Sequence, residues 1–280
     1  MSDAATAHLV LKHTVGPVVT ALADLSPGLP DVMVVGATCR DFLHAAAGHD
    51  SSRLRATDDL DIAIAVSGWD HFHAITSELK EITGKNSTIR YRIAGVIVDI
   101  VPFGDPVESP DGVVTPSKRA GSPMSVFGFQ DVWSAAEQVE VDGPTTVRMP
   151  TVPGYTILKL KAWADRSAWG QYKDGNDLAT AIYWYQQDER VEDRLYATDV
   201  GTELLIASDM DVSLAAVRLL ISDARALLSP ERQLELATVW ESVDDGLLAE
   251  YLANPTLEGW PRTGDERLSA WTRAVRDSLV

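Results

Sequence analysis

Residues 31–41 read DVMVVGATCRD, and residues 55–66 read RATDDLDIAIAV. In the first stretch, a short apolar run ends at Gly36 and a helical pattern begins at once, which is typical of a buried strand, a turn of small residues and a helix. In the second, the apolar run at 62–66 follows a group of aspartates and is continuous enough to be buried on both faces of a sheet. The two stretches predict an α/β structure with acidic side chains at the entrance to one strand.

Two further β-rich runs, IRYRI at 89–93 and VIVDIVPF at 96–103, are separated by Ala94 and Gly95. A two-residue connection that contains glycine predicts a hairpin. The segment 104–123 holds four prolines and three glycines, and we expect it to be a long loop.

Apolar residues at helical spacing predict an opening helix over 4–24, which the SPGLP segment at 26–30 ends. The same spacing predicts a helix over 69–82, followed by a loop around Gly84 and Lys85.

Beyond residue 153 the pattern is helical almost to the end of the chain. The sequence therefore predicts an α/β domain over residues 1–150 and an all-helical domain over residues 151–280.

The charge balance limits the kinds of partner. The chain has 24 Lys and Arg against 41 Asp and Glu, a formal net charge of −17. Broad binding of nucleic acid needs the opposite sign, so an anionic substrate must be held locally by a few cations or by metal ions. The single cysteine cannot form an internal disulfide, the first residues lack the pattern of a signal peptide, and no apolar stretch is long enough to span a membrane. We expect a soluble, cytoplasmic protein.

The first candidate site lies at the entrance to the acidic strand. Thr57, Asp59 and Asp61 occupy alternate positions and so share one face of a strand, together with Arg55. Neighbouring carboxylates on this face repel each other, and beside a buried run they call for a cation, for which Mg²⁺ (or Mn²⁺) is the natural choice. The alternative is that the two aspartates form only a solvated strand entrance.

A third carboxylate, Asp99, lies within the apolar run VIVDIVP. A lone buried charge is costly, so Asp99 needs a partner. One interpretation is a salt bridge to Arg90 or Arg92 across the hairpin. The other makes Asp99 a third metal ligand beside Asp59 and Asp61, since three carboxylates on adjacent strands can hold two divalent ions for nucleotidyl transfer.

The turn at 36–40 is the third candidate element. Gly36, Ala37 and Thr38 are small enough to let a phosphate approach the backbone, and the N–H groups of the following helix start face that position. Arg40 is expected to add a charge-assisted contact to the phosphates. For Cys39 we expect packing rather than a nucleophilic role, because no His or Asp partner is identifiable.

Taken in order, Gly36-Ala37, Asp59-Leu60-Asp61 and Asp99 resemble the pattern of the polymerase-β-like nucleotidyltransferase superfamily. The run Gly-Ala-Thr-Cys-Arg-Asp also resembles the Gly-Gly-x-x-Arg-Asp of the CCA-adding and poly(A) polymerase branch. The fuller match is to the AbiEii/MenT-type nucleotidyltransferase toxins of bacterial toxin–antitoxin systems. The resemblance covers residues 30–186 and implies an α+β (α/β) fold, with a mixed β-sheet, flanking helices and a helical C-terminal domain. Ala37 departs from the usual Ser or Gly and removes a hydroxyl near the γ-phosphate.

A helical motif completes the resemblance. The toxins carry a pattern similar to Lys-x-x-Ala-x-x-x-Arg followed by Lys-Asp-x-x-Asp, and this chain has Lys159, Ala162 and Arg166, then Asp174 and Asp177. Spacings of three and four put the first three on one helix face. The two cations are expected to close over a triphosphate, with the two aspartates orienting them. The alternative is an ordinary exposed face of salt bridges, and we expect Lys161 to be a solvated surface charge.

The resemblance implies a magnesium-dependent nucleotidyltransferase. Asp59, Asp61 and Asp99 would be the catalytic and metal-binding residues. Thr57 and the residues of the turn and the helical motif would bind the nucleoside triphosphate. The implied acceptor is the 3′ end of a tRNA, and the implied partner is a cognate antitoxin. Two alternatives remain: transfer to a small molecule such as an aminoglycoside or to a protein hydroxyl, favoured by the acidity of the chain, and a catalytically silent nucleotide-binding module.

Overall fold

The computed structural model describes residues 9, 11–25, 29, 31–54, 57, 59–82, 89–116, 123–143 and 145–280. Contacts between residues group the chain into two compact units, Met1–Thr151 and Val152–Val280. Within these described ranges, every helix is too short or too polar to cross a bilayer.

The first unit combines a sheet with short helices. Its strands are β1 (Val32–Val34), β2 (Asp59–Ala65), β3 (Lys80–Glu81), β4 (Arg90–Ile93), β5 (Val96–Phe103), β6 (Val113–Val114), β7 (Met124–Ser125), β8 (Glu137–Asp142) and β9 (Thr145–Met149). Its helices are α1 (Gly16–Leu25), which continues a π-helical turn at Leu11–Val15, α2 (Gly36–Ala46), α3 (Trp69–Thr76) and α4 (Phe129–Ala135). A 3-10 turn occupies Ser51–Arg53.

Seven of these strands form one mixed sheet in the order β3-β4-β5-β2-β1-β9-β8, and β6 pairs with β7 alone. Strand β2 runs parallel to β5 and antiparallel to β1, and β1 runs parallel to β9. The central strands are the most apolar: Val34, Ile62 and Ile64 are completely buried. Burial on both faces is what a continuous apolar run predicts, and the predicted α/β front half is confirmed.

The predicted hairpin is present as β4 and β5. Ala94 and Gly95 both have positive φ, 48° and 86°. Two such residues in succession form the tight turn whose twist matches that of the flanking strands. The turn sets the register, so that Ile93 lies opposite Val96 and Arg90 lies opposite Asp99.

Other predictions for the first unit need correction. The helix predicted over 69–82 ends at Thr76, because the residues that follow pair with β4 as the edge strand β3. Within the predicted loop, Val113–Val114 forms β6. Helix α4 and the hairpin of β8 and β9 were not predicted, and β8 is a largely exposed edge strand with a weak apolar pattern. Residues 1–8, most of the segment 26–30, the loop around Gly84 and Lys85, and 117–122 lie outside the described residues.

The second unit is described throughout and is helical, as predicted. Its helices are α5 (Val152–Arg166), α6 (Lys173–Gln187), α7 (Glu189–Ala197), α8 (Asp199–Ile206), α9 (Val212–Ala226), α10 (Pro230–Trp240), α11 (Asp245–Leu252) and α12 (Glu266–Leu279). A 3-10 turn, Ser167–Trp169, joins α5 to α6. Large apolar side chains fill the interior, and Trp163 and Trp240 are completely buried.

Close packing of α6 depends on one glycine. A Cβ added to Gly175 would lie 2.7 Å from Tyr251 Cβ and 2.9 Å from Trp163 Cζ3. We expect Gly175→Ala to lower the free energy of unfolding by about 1–3 kcal/mol through overpacking, despite the better helix propensity of alanine. Urea denaturation monitored by circular dichroism measures the change.

The matched control is Gly246→Ala in the first turn of α11, where the added Cβ meets only Asp244 Oδ1 at 3.3 Å. We expect this variant to be unchanged or stabilised by up to about 1 kcal/mol. Equal effects of the two substitutions would contradict the packing described for α6.

Candidate functional site

The sheet brings together the three aspartates singled out in the sequence. In the parallel pair of β2 and β5, Asp61 lies directly opposite Asp99. Asp59 lies two residues before Asp61, so its side chain is on the same face. We call Asp59, Asp61 and Asp99 the carboxylate cluster. Neighbouring parallel strands are about 4.8 Å apart and alternate residues of one strand are about 7 Å apart, so three negative charges lie close together on this face.

A cation already lies in this cluster. Arg90 Nε donates to Asp99 Oδ1 at 2.7 Å, and Arg90 Nη2 donates to Asp99 Oδ2 at 2.7 Å and to Asp59 Oδ2 at 2.8 Å. The salt bridge between Arg90 and Asp99, one of the two interpretations from the sequence, is therefore present. Arg90 also joins the two strands that carry the aspartates.

The aspartates of the cluster stabilise the charged form of Arg90. Hydrogen bonding to Asp99 raises the pKa of Arg90, burial opposes that change, and the charges of Asp99, Asp59 and Asp61 reinforce it. Side-chain exposure is 37% for Arg90, 33% for Asp59 and 16% for Asp99. A carboxylate has about four acceptor directions, so Arg90 leaves Asp99 further acceptor capacity.

The donor chemistry of the cluster suits Mg²⁺, which prefers carboxylate oxygens. Among the residues described, however, no three acidic, His or Cys side chains are arranged as they stand to hold a metal ion. The guanidinium of Arg90 takes the position between Asp59 and Asp99 instead. The oxygen atoms that a divalent ion would use at Asp59 and Asp99 are thus hydrogen-bonded to Arg90.

The turn at 36–40 lies against the carboxylate cluster. Gly36 has a φ of +65°, and a Cβ at this position would overlap Asp61 Oδ2. The backbone N–H of Val35 donates to the carbonyl oxygen of Asp61 at 3.0 Å. Val35 is the N-cap of α2 and contributes no side-chain cap hydrogen bond. The helix start that the sequence predicted to face a phosphate is therefore adjacent to Asp61.

Other predicted residues of the first unit have local partners. Thr57 Oγ1 donates to Asp59 Oδ1 at 2.6 Å and so supports that carboxylate. Ala37 and Thr38 are buried, and Cys39 is completely buried, in keeping with the packing role expected of it. The side chain of Arg40 is only 3% exposed, and its Nε and Nη2 donate to Asp41 Oδ1 at 2.9 and 2.7 Å. Contact between Arg40 and a phosphate stays a prediction.

The motif in the second unit forms an ion-pair network between α5 and α6. Lys159 Nζ lies 3.2 Å from Asp174 Oδ1 and 2.6 Å from Asp177 Oδ2, and Arg166 Nη1 lies 3.3 Å from Asp174 Oδ2. Both aspartates therefore contact Lys159, and Asp174 also contacts Arg166. Lys159, Asp174 and Asp177 are buried, whereas about half of the Arg166 side chain is exposed.

Lys159 is charged in this setting. Burial lowers the pKa of its ammonium group, but the charges of Asp177 and Asp174 and their hydrogen bonds outweigh burial and raise that pKa above its ordinary value. Lys161 corrects a prediction: it is buried rather than solvated, and its Nζ donates to both oxygens of Asp165 at 2.6 and 2.8 Å.

From the sequence we predicted Arg90 only as a possible partner of Asp99. Its contact with Asp59 follows from the parallel pairing of β2 and β5, which no local pattern specifies. The support of Asp59 by Thr57 was signalled by their i, i+2 spacing on one face.

We expect Lys159→Met to lower the free energy of unfolding of the second unit by about 3–5 kcal/mol, because it removes the cation that lies 3.2 and 2.6 Å from two buried carboxylates. The matched control is Lys161→Met on the same helix, whose partner Asp165 is about one-third exposed and can be rehydrated. Chemical denaturation of both variants makes the comparison. A smaller loss for Lys159→Met than for Lys161→Met would show that the network does not hold α5 to α6.

A histidine beside Arg40 provides a pH test of the first unit. Burial lowers the pKa of His44 from 6.5 to about 4, and the charges of His49 and Arg40 act in the same direction. Between these two pH values the unfolded chain binds a proton that the folded chain does not, so stability falls as the pH drops from about 6.5 to 4. We expect this to amount to roughly 2–3 kcal/mol.

Denaturation midpoints measured across this pH range should fall less steeply for His44→Gln than for the parent protein. His73→Gln in α3 is the control and should keep the parent slope. An unchanged slope in His44→Gln would refute the assignment.

No family model matches the chain, and no curated protein matches it.

Proposed function

We propose that the first unit transfers a nucleoside monophosphate from a nucleoside triphosphate to an acceptor hydroxyl, with magnesium as the metal. The observation that supports this function is the convergence of Asp59, Asp61 and Asp99 on one face of a mixed sheet, beside the Gly36 turn. Acidic groups on neighbouring strands next to a helix start combine metal ligands with phosphate-binding N–H groups.

In this proposal the three aspartates would hold Mg²⁺ or Mn²⁺, which when bound would stabilise the charge that develops on the phosphates. The backbone N–H groups at the start of α2 face the triphosphate. Asp99 accepts the proton of the acceptor hydroxyl as its oxygen forms a bond to the α-phosphorus. The bond from that phosphorus to the pyrophosphate oxygen breaks, and pyrophosphate leaves.

For the second unit, the resemblance assigns phosphate contacts to Lys159 and Arg166. Lys159 is buried and matched by two carboxylates, whereas Arg166 is half-exposed and makes one long contact with Asp174. Of the two cations, Arg166 is the better suited to meet an anion. We therefore propose that Lys159 acts mainly by holding Asp174, the aspartate that contacts Arg166.

Two observations favour different acceptors. The resemblance to toxin nucleotidyltransferases suggests the 3′ end of a tRNA, with an antitoxin as protein partner. The net charge of −17 favours a cationic small molecule, such as an aminoglycoside, or a protein hydroxyl.

A second candidate function is nucleotide binding without catalysis. It is favoured by the ion pair of Arg90 with two of the three aspartates, by the burial of Arg40 and by alanine at position 37. A module of this kind would bind a nucleoside triphosphate and never turn it over.

We expect Asp59→Asn and Asp61→Asn each to lower the rate of nucleotidyl transfer by about two orders of magnitude or more, because loss of a metal ligand removes several kcal/mol of transition-state stabilisation. The assay supplies α-labelled nucleoside triphosphates, Mg²⁺ and either total tRNA, aminoglycosides or the protein alone. Asp70→Asn, an exposed aspartate at the start of α3, is the matched control and should retain full activity.

Full activity in Asp59→Asn would end the catalytic assignment. Calorimetry that detects magnesium-dependent nucleotide binding, with no transfer to any of these acceptors, would instead favour the silent module.

A further inference from the structure

The guanidinium of Arg90 engages the same oxygen atoms that a metal ion would need. Both oxygens of Asp99 and one oxygen of Asp59 accept hydrogen bonds from it, at 2.7, 2.7 and 2.8 Å. The bond to Asp99 is bidentate, a geometry that planar guanidinium groups form well. Asp61, the third member of the cluster, is near enough to influence the ionisation of the same arginine.

We propose that Arg90 is a built-in counter-ion that competes with the divalent metal for Asp59 and Asp99, so that metal binding must displace it. This inference rests on the proposed function and adds to it a residue that controls metal affinity. A guanidinium and a divalent cation in contact with the same carboxylate oxygens would repel each other strongly. Occupation by one therefore disfavours occupation by the other at those atoms.

The charge balance favours replacement of Arg90 by a metal ion over permanent binding of Arg90 to the carboxylates. Arg90 carries one positive charge and hydrogen-bonds to two carboxylates, Asp59 and Asp99, so it neutralises only part of the charge of this pair. The side chain is also 37% exposed and lies on β4, beside the two-residue edge strand β3, so it has solvent into which it can move.

Competition has a measurable consequence. The apparent metal affinity is the intrinsic affinity multiplied by the fraction of molecules in which Arg90 has left the cluster, so the arginine weakens metal binding. We expect Arg90→Gln to bind Mn²⁺ at least about tenfold more tightly than the parent protein, in the absence of nucleotide. Titration of the protein with Mn²⁺, followed by the electron paramagnetic resonance signal of the free ion, measures this affinity directly.

Arg92→Gln is the matched control. It removes the same charge from the same strand and the same face, but Arg92 is exposed and donates to the Gly95 carbonyl rather than to the cluster. We expect its Mn²⁺ affinity to stay within about twofold of the parent. The variant Asp61→Asn combined with Arg90→Gln should lose the gain, which locates the bound ion at the cluster.

A measurement on the unaltered protein guards against misfolding of the variant. In ¹H–¹⁵N spectra, the Nε–H signal of Arg90 can be assigned by its absence in Arg90→Lys. We expect this signal to shift when Mg²⁺ and a non-hydrolysable nucleoside triphosphate are added together. A signal that stays unchanged while the metal and nucleotide bind would overturn the competition.

The Mn²⁺ affinities, read together with transfer activity, distinguish competition by Arg90 from the proposed nucleotidyl transfer. Arg90→Gln binding Mn²⁺ no more tightly than the parent overturns competition by Arg90, and transfer activity in the parent would then leave the proposed function standing. Tighter binding in Arg90→Gln without transfer in any form of the protein supports Arg90 as a competitor and removes the catalytic proposal.

Discussion

The parallel pairing of β2 with β5 is the constraint on which the first unit depends. It places Asp61 opposite Asp99, with Asp59 on the same face, at the centre of a sheet whose interior strands are buried. Like charges at this spacing oppose folding unless a cation lies among them. In the structure that cation is Arg90, and its position follows from the antiparallel pairing of β4 with β5.

The second unit solves a similar problem in a different way. There the aspartates on α6 are fully enclosed, and Lys159 and Arg166 come from the preceding helix, so charges are matched two against two. A matched buried network resists exchange, since removing one member leaves an uncompensated charge. In the first unit, Asp59 and Asp99 share one arginine and are more exposed, which is the condition under which a partner can be replaced.

Much of the fold was predictable because the signals are local. Continuous apolar runs identified the central strands, and Ala94-Gly95 identified the hairpin. Prediction failed where tertiary pairing overrode local pattern, as at β3, or where an exposed edge strand carries little apolar signal, as at β8. The three aspartates of the site were found from spacing and resemblance, whereas the bridging role of Arg90 depends on strand order, which the sequence does not reveal.

The tight connection between β4 and β5 has a consequence for variation in this protein. Because side chains alternate between the faces of a strand, an insertion or deletion of one residue at Ala94-Gly95 that shifts the register would turn Arg90 to the opposite side of the sheet. The acidic residues would then lose their internal cation while the rest of the sheet kept its pairing. Most surface loops tolerate such changes of length, but here the change would remove a positive charge from the carboxylate cluster.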